Sequence, residues 1–252
     1  MTVASSTDVQ RLAALIREAG SVVALTGAGI SVPSGIPDFR SPGTGLWEKV
    51  DPMEVAHIDV FRRDPERFWH FYGDRFATLR TKQPNGAHDA LVALERAGHL
   101  DAVITQNIDL LHERAGSRNL VEVHGSIRTA TCPGCGSSYP RAAVVAKLER
   151  ADAPTCDSCG AILKPDVVFF GELLPAAAIE RAFELARRAR LLLVVGSSLE
   201  VHPVAALPEE TLTAGGRVAI VNKGPTPYDG RADLKLEENA GMVLGAVAGE
   251  LV

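Results

Sequence analysis

The sequence lacks any run of apolar residues long enough to cross a membrane, and it lacks an excess of basic residues. Its longest apolar runs, such as Leu191–Val195, are far shorter than the ~20 residues that a spanning helix needs. Lysine and arginine number 26, against 31 aspartate and glutamate residues, for a net charge of −5. Because nucleic acids and anionic membranes attract basic proteins, we expect neither as a partner.

Two further absences concern the cellular compartment. Residues 1–10 lack the charged-then-apolar order of a secretory signal, so we expect a cytoplasmic protein. Cysteine is scarce, with 4 residues, and in a reducing compartment these more often bind a metal than form disulfides. The remaining composition, 46% hydrophobic and 23% charged among 252 residues, is typical of a globular chain with one large α/β domain or two small ones.

Short apolar segments alternate with segments of helical periodicity. Thr7-x-x-Gln10 resembles a capping box, and the apolar residues after it predict a helix over 8–19. The β-branched segment 21–26 predicts a buried strand. Further strands are predicted at 102–105, 120–123, 190–195 and 217–222, and further helices at 64–80, 87–97, 109–115, 175–189, 203–213 and 240–251. This alternation predicts a parallel sheet covered by helices on both faces.

Two insertions interrupt the alternation. Residues 127–165 contain all four cysteines and little apolar sequence, so this segment needs a crosslink to hold a fold. Residues 41–86, rich in Pro, Phe and Trp, form a looser insertion. The sequence therefore predicts one large α/β domain with a small module built from insertions.

The four cysteines form two pairs, Cys132-x-x-Cys135 and Cys156-x-x-Cys159, with twenty residues between them. This spacing is typical of a zinc site. Four thiolates leave no open coordination position for water, so the predicted metal is structural rather than catalytic. Two disulfides or four unrelated thiols are the alternatives.

A glycine-rich loop follows the first predicted strand. Residues 27–31 read Gly-Ala-Gly-Ile-Ser, and residues 35–40 read Gly-Ile-Pro-Asp-Phe-Arg. Glycines here allow backbone N–H groups to approach a pyrophosphate, but Val32 stands where the dinucleotide fingerprint has its third glycine. A structural tight turn is the alternative. The second segment supplies an acid, an aromatic residue and a cation. This combination favours a phosphate-binding site over a structural turn.

Polar residues follow four of the predicted strands. They are Thr105-Gln106-Asn107-Ile108-Asp109, His124-Gly125, Gly196-Ser197-Ser198 and Asn222-Lys223-Gly224. The carboxyl ends of parallel strands build the binding crevice of an α/β sheet, so these residues should meet there. A single histidine after a strand is more often structural, but Gly125 leaves space for a ligand. We therefore interpret His124 as a general base.

Taken in order, these segments resemble one family. The two glycine segments, TQNID, HG, the two CxxC pairs, KPDVVFFGE (164–172), GSSLEV (196–201) and VNKG (221–224) occur in the order seen in sirtuins, the NAD-dependent protein-lysine deacylases. The resemblance covers about residues 8–250. It implies an α/β fold with a Rossmann-like doubly wound parallel sheet and a smaller zinc-binding module formed by insertions.

The resemblance also implies a division of the chain and a place for NAD. The implied domains are a Rossmann-like NAD-binding domain (1–40, 87–126 and 166–252), a helical insertion with the cofactor loop and acyl pocket (41–86) and a four-cysteine zinc module (127–165). The implied NAD-binding residues are Gly27, Ala28, Gly29, Ile30, Pro37, Asp38, Phe39, Arg40, Gln106, Asn107, Ile108, Asp109, Gly196, Ser197, Ser198, Asn222, Lys223, Gly224 and Ala240. Phe39 would shield the ribose carbon from returning nicotinamide. Lys223 could instead be a solvated charge.

The implied partner is an acyl-lysine protein or peptide bound as an added strand, held by main-chain hydrogen bonds. The residues that would line it are Val168, Phe170, Gly171, Leu199, Glu200 and Val201, although Phe170 could instead be a core residue. The implied catalytic residues are His124 and Asn107, with His124 taking a ribose hydroxyl proton. The implied products are nicotinamide, free lysine and O-acyl-ADP-ribose. A monomer is compatible with the sequence, which does not fix the oligomeric state.

The acyl group is the least determined feature. Tyr72 and Arg75 have the i, i+3 spacing that puts both on one helical face. In the sirtuin subgroup that removes acidic acyl groups, such a pair binds the succinyl or malonyl carboxylate. However, Asp38 replaces that subgroup's usual Thr, and residues 41–45 depart from its Gly-Ala-Gly-Gly. These markers conflict, so we expect deacetylation first, and desuccinylation or demalonylation is the alternative.

Three other functions use some of the same features. Mono-ADP-ribosyl transfer to protein would use the same NAD site without acyl capture. A hydride-transferring oxidoreductase is disfavoured by the missing fingerprint, and a non-catalytic zinc-ribbon module would not need His124.

Overall fold

The computed structural model describes residues 6–39, 41, 43, 45–48 and 50–252, apart from the side chains of 74, 75 and 77. The strands are β1 Val22–Thr26, β2 Ala102–Thr105, β3 Leu120–Glu122, β4 Gly125–Thr131, β5 Ser138–Pro140, β6 Lys164–Val167, β7 Leu191–Val195, β8 Arg217–Val221 and β9 Leu234–Leu236. The α-helices are α1 Ser6–Ala19, α2 Pro52–Val55, α3 Ile58–Arg63, α4 Pro65–Leu79, α5 Gly86–Arg96, α6 Leu111–Ala115, α7 Arg141–Leu148, α8 Ala176–Arg188, α9 Leu207–Thr213 and α10 Ala240–Leu251.

Within these residues the larger sheet has six parallel strands in the order β3-β2-β1-β7-β8-β9. The predicted α/β class with a parallel sheet is confirmed. The strand order reverses between β1 and β7, and this switch point is where open α/β sheets bind ligands. The strands on either side of it end level, since Thr26 pairs with Val195 on β7 and with Thr105 on β2.

Both faces of this sheet are covered, because apolar residues along each central strand point alternately to two cores. On β7, Leu191 and Leu193 belong to the core formed with α1, α5 and α10, whereas Leu192 and Val194 belong to the core formed with α8 and α9. All five residues of β7 are buried. Fully buried parallel strands read as continuous apolar runs, which is why this one was predictable.

The second sheet is antiparallel, with the order β5-β4-β6, and it carries the cysteine pairs. The two insertions pack on each other around one aromatic-rich core. Trp69 of α4, 1% exposed, donates a hydrogen bond from Nε1 to the carbonyl oxygen of Leu163 at 2.8 Å. Phe61 and Phe68 pack in the same core as Cys132. The insertions therefore support each other as one small module, and the domain bounds given above stay a prediction.

The sequence patterns did not predict every helix and strand. The edge strand β9 and the helices α2 and α3 were not predicted, and all three are too short to show a clear period. The predicted helix 203–213 is instead a 3₁₀ turn, Val204–Ala206, followed by α9. None of the helices described has both the length and the apolar character needed to span a bilayer.

Candidate active site at the switch point of the sheet

The glycine loop lies directly against the loop that follows β7. The Gly27 amide donates to the Val195 carbonyl at 3.1 Å, and the Gly29 amide donates to the Gly196 carbonyl at 2.8 Å. A Cβ on Gly29 would lie 2.7 Å from the Gly196 Cα, too close for any side chain. These glycines are therefore required for close packing of two loops, whatever they do for a ligand. A 3₁₀ helix, Ala28–Ser34, follows and ends at Gly35 in the left-handed region.

The loop after β2 brings Asn107 and Asp109 to the glycine loop. Asn107 donates from Nδ2 to the Gly27 carbonyl and to Ser31 Oγ, both at 3.1 Å. Ser31 in turn donates from Oγ to the Asp109 carboxylate at 2.6 Å. Asp109 is only 6% exposed, and burial raises its pKa although the Ser31 bond opposes this. The three side chains form a fixed polar cluster at the switch point.

Ser31 was missed as a site residue. It is 1% exposed and joins the two predicted residues, with partners 76 and 78 positions away in the sequence. Its only sequence signal is its place directly after the glycine pair, and a serine there is equally consistent with an ordinary turn.

His124 lies at the same crevice, after β3. Its Nδ1 is 3.0 Å from the carbonyl oxygen of Gln106. Because a carbonyl only accepts, Nδ1 carries the proton and Nε2 keeps a lone pair. Burial lowers the pKa of His124, and the bond to Gln106 partly opposes this. The imidazole is thus a neutral base at neutral pH, half-buried rather than enclosed.

Gln106 connects His124 to the remaining loops. Its amide donates to the Thr26 carbonyl at 3.0 Å, and its Nε2 donates to Ser197 Oγ at 2.9 Å. Ser197 is 6% exposed and also accepts from the Leu199 amide at 3.3 Å. Leu199 has φ of 56°, a left-handed conformation that costs a branched residue about 1–3 kcal/mol and is concentrated at functional sites.

The loop after β8, which holds the last group of predicted polar residues, lies beside the loop after β7. The Gly196 amide donates to the Val221 carbonyl at 2.9 Å, and Asn222 donates from Nδ2 to the Gly224 carbonyl at 3.1 Å. Lys223 is exposed, in keeping with a solvated charge. Ala240 begins α10, which is capped by Asn239.

An aromatic wall joins the cofactor loop to the segment after β6. Phe39 stacks on Trp47 with ring centroids 5.0 Å apart, and Trp47 meets Phe170 edge-on at 6.5 Å. The Phe170 amide donates to the Ala56 carbonyl at 3.0 Å, and the Phe170 carbonyl accepts from the Ile58 amide at 2.9 Å. Its main chain is therefore occupied, and an added strand would have to pair with other groups.

Two of the predicted residues lie outside what the structure describes, namely Arg40 and the side chain of Arg75. Tyr72, the proposed companion of Arg75, stacks on Phe68 at 4.6 Å and packs against the aromatic core of the small module.

The four cysteines come together as predicted. Their sulfur atoms all lie within 4.8 Å of one another, with 3.4 Å between Cys132 and Cys159 and 3.5 Å between Cys135 and Cys156. A disulfide needs about 2.05 Å, so none is formed. Zn–S bonds of about 2.3 Å put tetrahedral sulfurs a little under 4 Å apart, so the cluster fits a structural zinc ion.

The chain matches the family model described as the Sir2 family over residues 27–203. The NAD-dependent protein deacetylase of Thermotoga maritima is 47% identical over 221 residues, covering 88% of this chain and 89% of that protein. The NAD-dependent protein deacylase 1 of Archaeoglobus fulgidus is 43% identical over 235 residues, covering 93% and 94%.

Solved structures show the same similarity. A Sir2 protein with a deacetylated p53 peptide and 3′-O-acetyl ADP ribose has a TM-score of 0.93 at 43% identity, covering 96% of this chain and 98% of that one. A Sir2 protein bound to a propionylated peptide has a TM-score of 0.88 at 42% identity, with the same coverage.

Proposed function

The chain belongs to the Sir2 family, and from this premise we propose that it is an NAD-dependent protein-lysine deacylase. It removes an acyl group from lysine, consumes NAD and releases nicotinamide, free lysine and O-acyl-ADP-ribose. It carries a structural zinc site at the four cysteines. The observation that carries the proposal is the meeting of His124, Gln106, Asn107 and Asp109 with the glycine loop at the switch point of the sheet.

The residues present fit a dinucleotide. The buried Asp109 carboxylate and the Asn107 carboxamide are polar groups at a switch point, where ribose and amide groups need such partners. The glycine loop and the residues after β7 and β8 are proposed to hold the rest of NAD. When bound, NAD supplies an electrophilic ribose carbon for the acyl oxygen after nicotinamide leaves.

The chain's own contribution to the chemistry is positioning and one proton transfer. His124 takes up a ribose hydroxyl proton at Nε2, because its Nδ1 is already engaged with the Gln106 carbonyl. Gln106 is fixed by Ser197, so the base stays aligned with the cofactor loops. Asn107 is held at the mouth of the glycine loop and orients the reacting groups. Phe39 and Trp47 form a wall that limits water.

The substrate is proposed to be an acyl-lysine peptide bound as an added strand between the segment 168–171 and the segment 199–201. Since the Phe170 main chain is already paired, Gly171 and the second segment are proposed to supply the main-chain hydrogen bonds. Deacetylation is proposed as the main activity, and removal of acidic acyl groups through Tyr72 and Arg75 is the alternative that the peptide panel tests. A cytoplasmic location is proposed because the four cysteines form no disulfide. Mono-ADP-ribosyl transfer, the alternative drawn from the sequence, is not favoured by the names of the relatives.

A panel of peptides bearing acetyl-, propionyl-, succinyl- and malonyl-lysine tests this function. With NAD present, we expect equal amounts of nicotinamide and free lysine from the acetyl peptide. His124→Ala should reduce turnover by at least about a thousandfold, the upper part of the range for loss of a general base, while NAD affinity changes by only a few fold.

The matched control is His70→Ala, which removes an exposed histidine of α4 and should leave turnover unchanged. Nicotinamide release without lysine deacylation, or full turnover in the His124 variant, would overturn the proposal.

A further inference from the structure

A cavity outside the proposed active site combines arginine side chains with an apolar wall. Its volume is about 470 Å³, within the range of cavities that hold small organic molecules. Its charged lining comes from Arg80, Arg128, Arg141 and Glu149, and its apolar lining includes Leu110 and Val145. None of these residues belongs to the crevice at the switch point.

The arginines of this cavity differ in how they are paired. Arg128 is held by Glu113 and Glu122, so its charge is compensated. Arg80 and Arg141, by contrast, make no ion pair with any side chain that the structure describes. Two guanidinium groups of one cavity are thus without a paired carboxylate among the side chains that the structure describes.

Arg141 is the less exposed of the two. Its Nη1 is buried, with no hydrogen-bond partner among the described residues. Burial lowers the pKa of Arg141, and the nearby Arg114 and Arg80 lower it further, against the attraction of Glu113. The part of Arg141 that lines the cavity is therefore not Nη1, which has almost no accessible surface.

The cavity also lies where three parts of the chain meet. Arg80 directly follows α4 of the helical insertion, and Arg141 is the first residue of α7 in the zinc module. Leu110 directly follows Asp109, caps α6 and has φ of 66°. A molecule in this cavity would contact both insertions and the loop that carries Asn107 and Asp109.

We propose that this cavity binds a small organic oxyanion, with its carboxylate or phosphate between Arg80 and Arg141 and its apolar part against Leu110 and Val145. Planar guanidinium forks match oxyanions of both kinds with paired hydrogen bonds. The apolar wall selects a molecule with a hydrocarbon or ring body over a bare inorganic ion. This site is independent of the deacylase proposal, because it needs neither NAD nor peptide.

Calorimetric titration of the zinc-loaded protein without NAD, at low ionic strength, tests the proposal. The probes are hexyl phosphate and hexanoate, with hexanol and inorganic phosphate as partial probes that lack the anion or the apolar body. We expect at least one of the two amphiphilic anions to bind about tenfold or more tightly than either partial probe. Comparing the two distinguishes a phosphate site from a carboxylate site.

Substitutions locate the binding. Arg141→Gln and Arg80→Gln should each weaken it about tenfold, and Arg80 is exposed, so its variant is expected to keep its fold. Glu149→Gln should tighten binding, since it removes the one acid among the described residues that line the cavity. Arg188→Gln, which removes an exposed arginine paired with Glu184 on α8, is the matched control and should have no effect.

Amide chemical shifts give an independent readout. Binding should shift the amides of Leu110 and Val145 and leave that of Gly29 unchanged. Equal binding of hexanol, no effect of either arginine variant, or shifts confined to the glycine loop or the aromatic wall would each overturn the proposal.

Discussion

The two parts of the molecule that meet at His124 are stabilised by different means. In the large sheet, β1 and β7 are buried along their whole length between two apolar cores, so stability is spread over many side chains. In the small module, two of the four zinc-binding thiols, Cys132 and Cys156, are themselves core residues. The first part should tolerate single changes, whereas the second depends on a few atoms.

The two parts also contribute different elements to the proposed active site. The sheet supplies the loops that are proposed to hold NAD, and these loops are bonded to one another through main-chain groups such as the Gly29 amide. The small module supplies one wall of the crevice, through the segment after β6 and the aromatic contact between Trp47 and Phe170. Loss of the module should therefore remove catalysis before it removes NAD binding.

Among the changes that separate the two parts, Cys132→Ser should have the largest effect, and it should act on the small module alone. With one thiolate lost, zinc content should fall and the module should unfold, because metal binding and folding are coupled. We expect turnover to drop by at least about a hundredfold, comparable to the loss from a disrupted metal site. Metal analysis, turnover and circular dichroism measured together would show whether the sheet keeps its helical signal.

The control is Ser158→Ala, which changes an exposed residue inside the second cysteine pair without removing a ligand. A Cys132→Ser protein that is zinc-free and fully active would contradict both the structural role of the metal and the contrast between the two parts. Global unfolding would show that the sheet depends on the module.

Acid should have the next largest effect, and it should act on the sheet side. His88 and His112 are 0% and 2% exposed, with ring centroids 4.8 Å apart. Burial lowers the pKa of His88 to about 4 and that of His112 to about 3. The unfolded chain, with histidine pKa values near 6.5, takes up protons first, so stability falls as the pH decreases below about 6.5.

Between pH 7.5 and pH 5 the free energy of unfolding should decrease by about 2 kcal/mol for each of the two histidines. Urea unfolding at several pH values measures this slope. His112→Gln should remove about half of the pH dependence, whereas His70→Gln, at an exposed position, should leave it unchanged. An unchanged slope in the His112 variant would show that other groups cause the acid sensitivity.

The contrast between the two parts also explains what the sequence could reveal. The buried strands and the cysteine pairs were predictable because each is a local pattern, an apolar run or a fixed spacing. His124 and Asn107 were predictable as neighbours because parallel strands end at one edge of a sheet. These patterns were sufficient to predict the class of fold, which is confirmed.

Contacts between distant segments were not predictable from these patterns. The bond from Trp69 to Leu163 joins residues 94 positions apart, so the shared core of the two insertions leaves no local sequence signal. The role of Ser31 likewise depends on two loops meeting. The glycines were located correctly, but their close packing against Gly196 depends on β7 lying beside β1, an order that no spacing in the sequence reveals.

The smallest effect is expected at the seam between the two parts, from Gly125→Ala. Gly125 has φ of 69°, and a Cβ there would collide with the Asp166 carbonyl of β6. Gly98→Ala is the matched control, because Gly98 has φ of 79° and no atom within 4 Å of its added Cβ. Backbone strain alone should cost the control about 1 kcal/mol, and the collision should bring Gly125→Ala to about 2–3 kcal/mol.

Urea unfolding of both variants measures this difference, and turnover gives a second readout that strain alone would not change. Since the His124 carbonyl accepts from the Val168 amide at 2.9 Å, moving β4 away from β6 should displace the imidazole and slow catalysis about tenfold. Gly98→Ala should keep full turnover. Equal stability and equal turnover of the two variants would mean that the sheet alone positions His124. The small module would then line the crevice without positioning the imidazole.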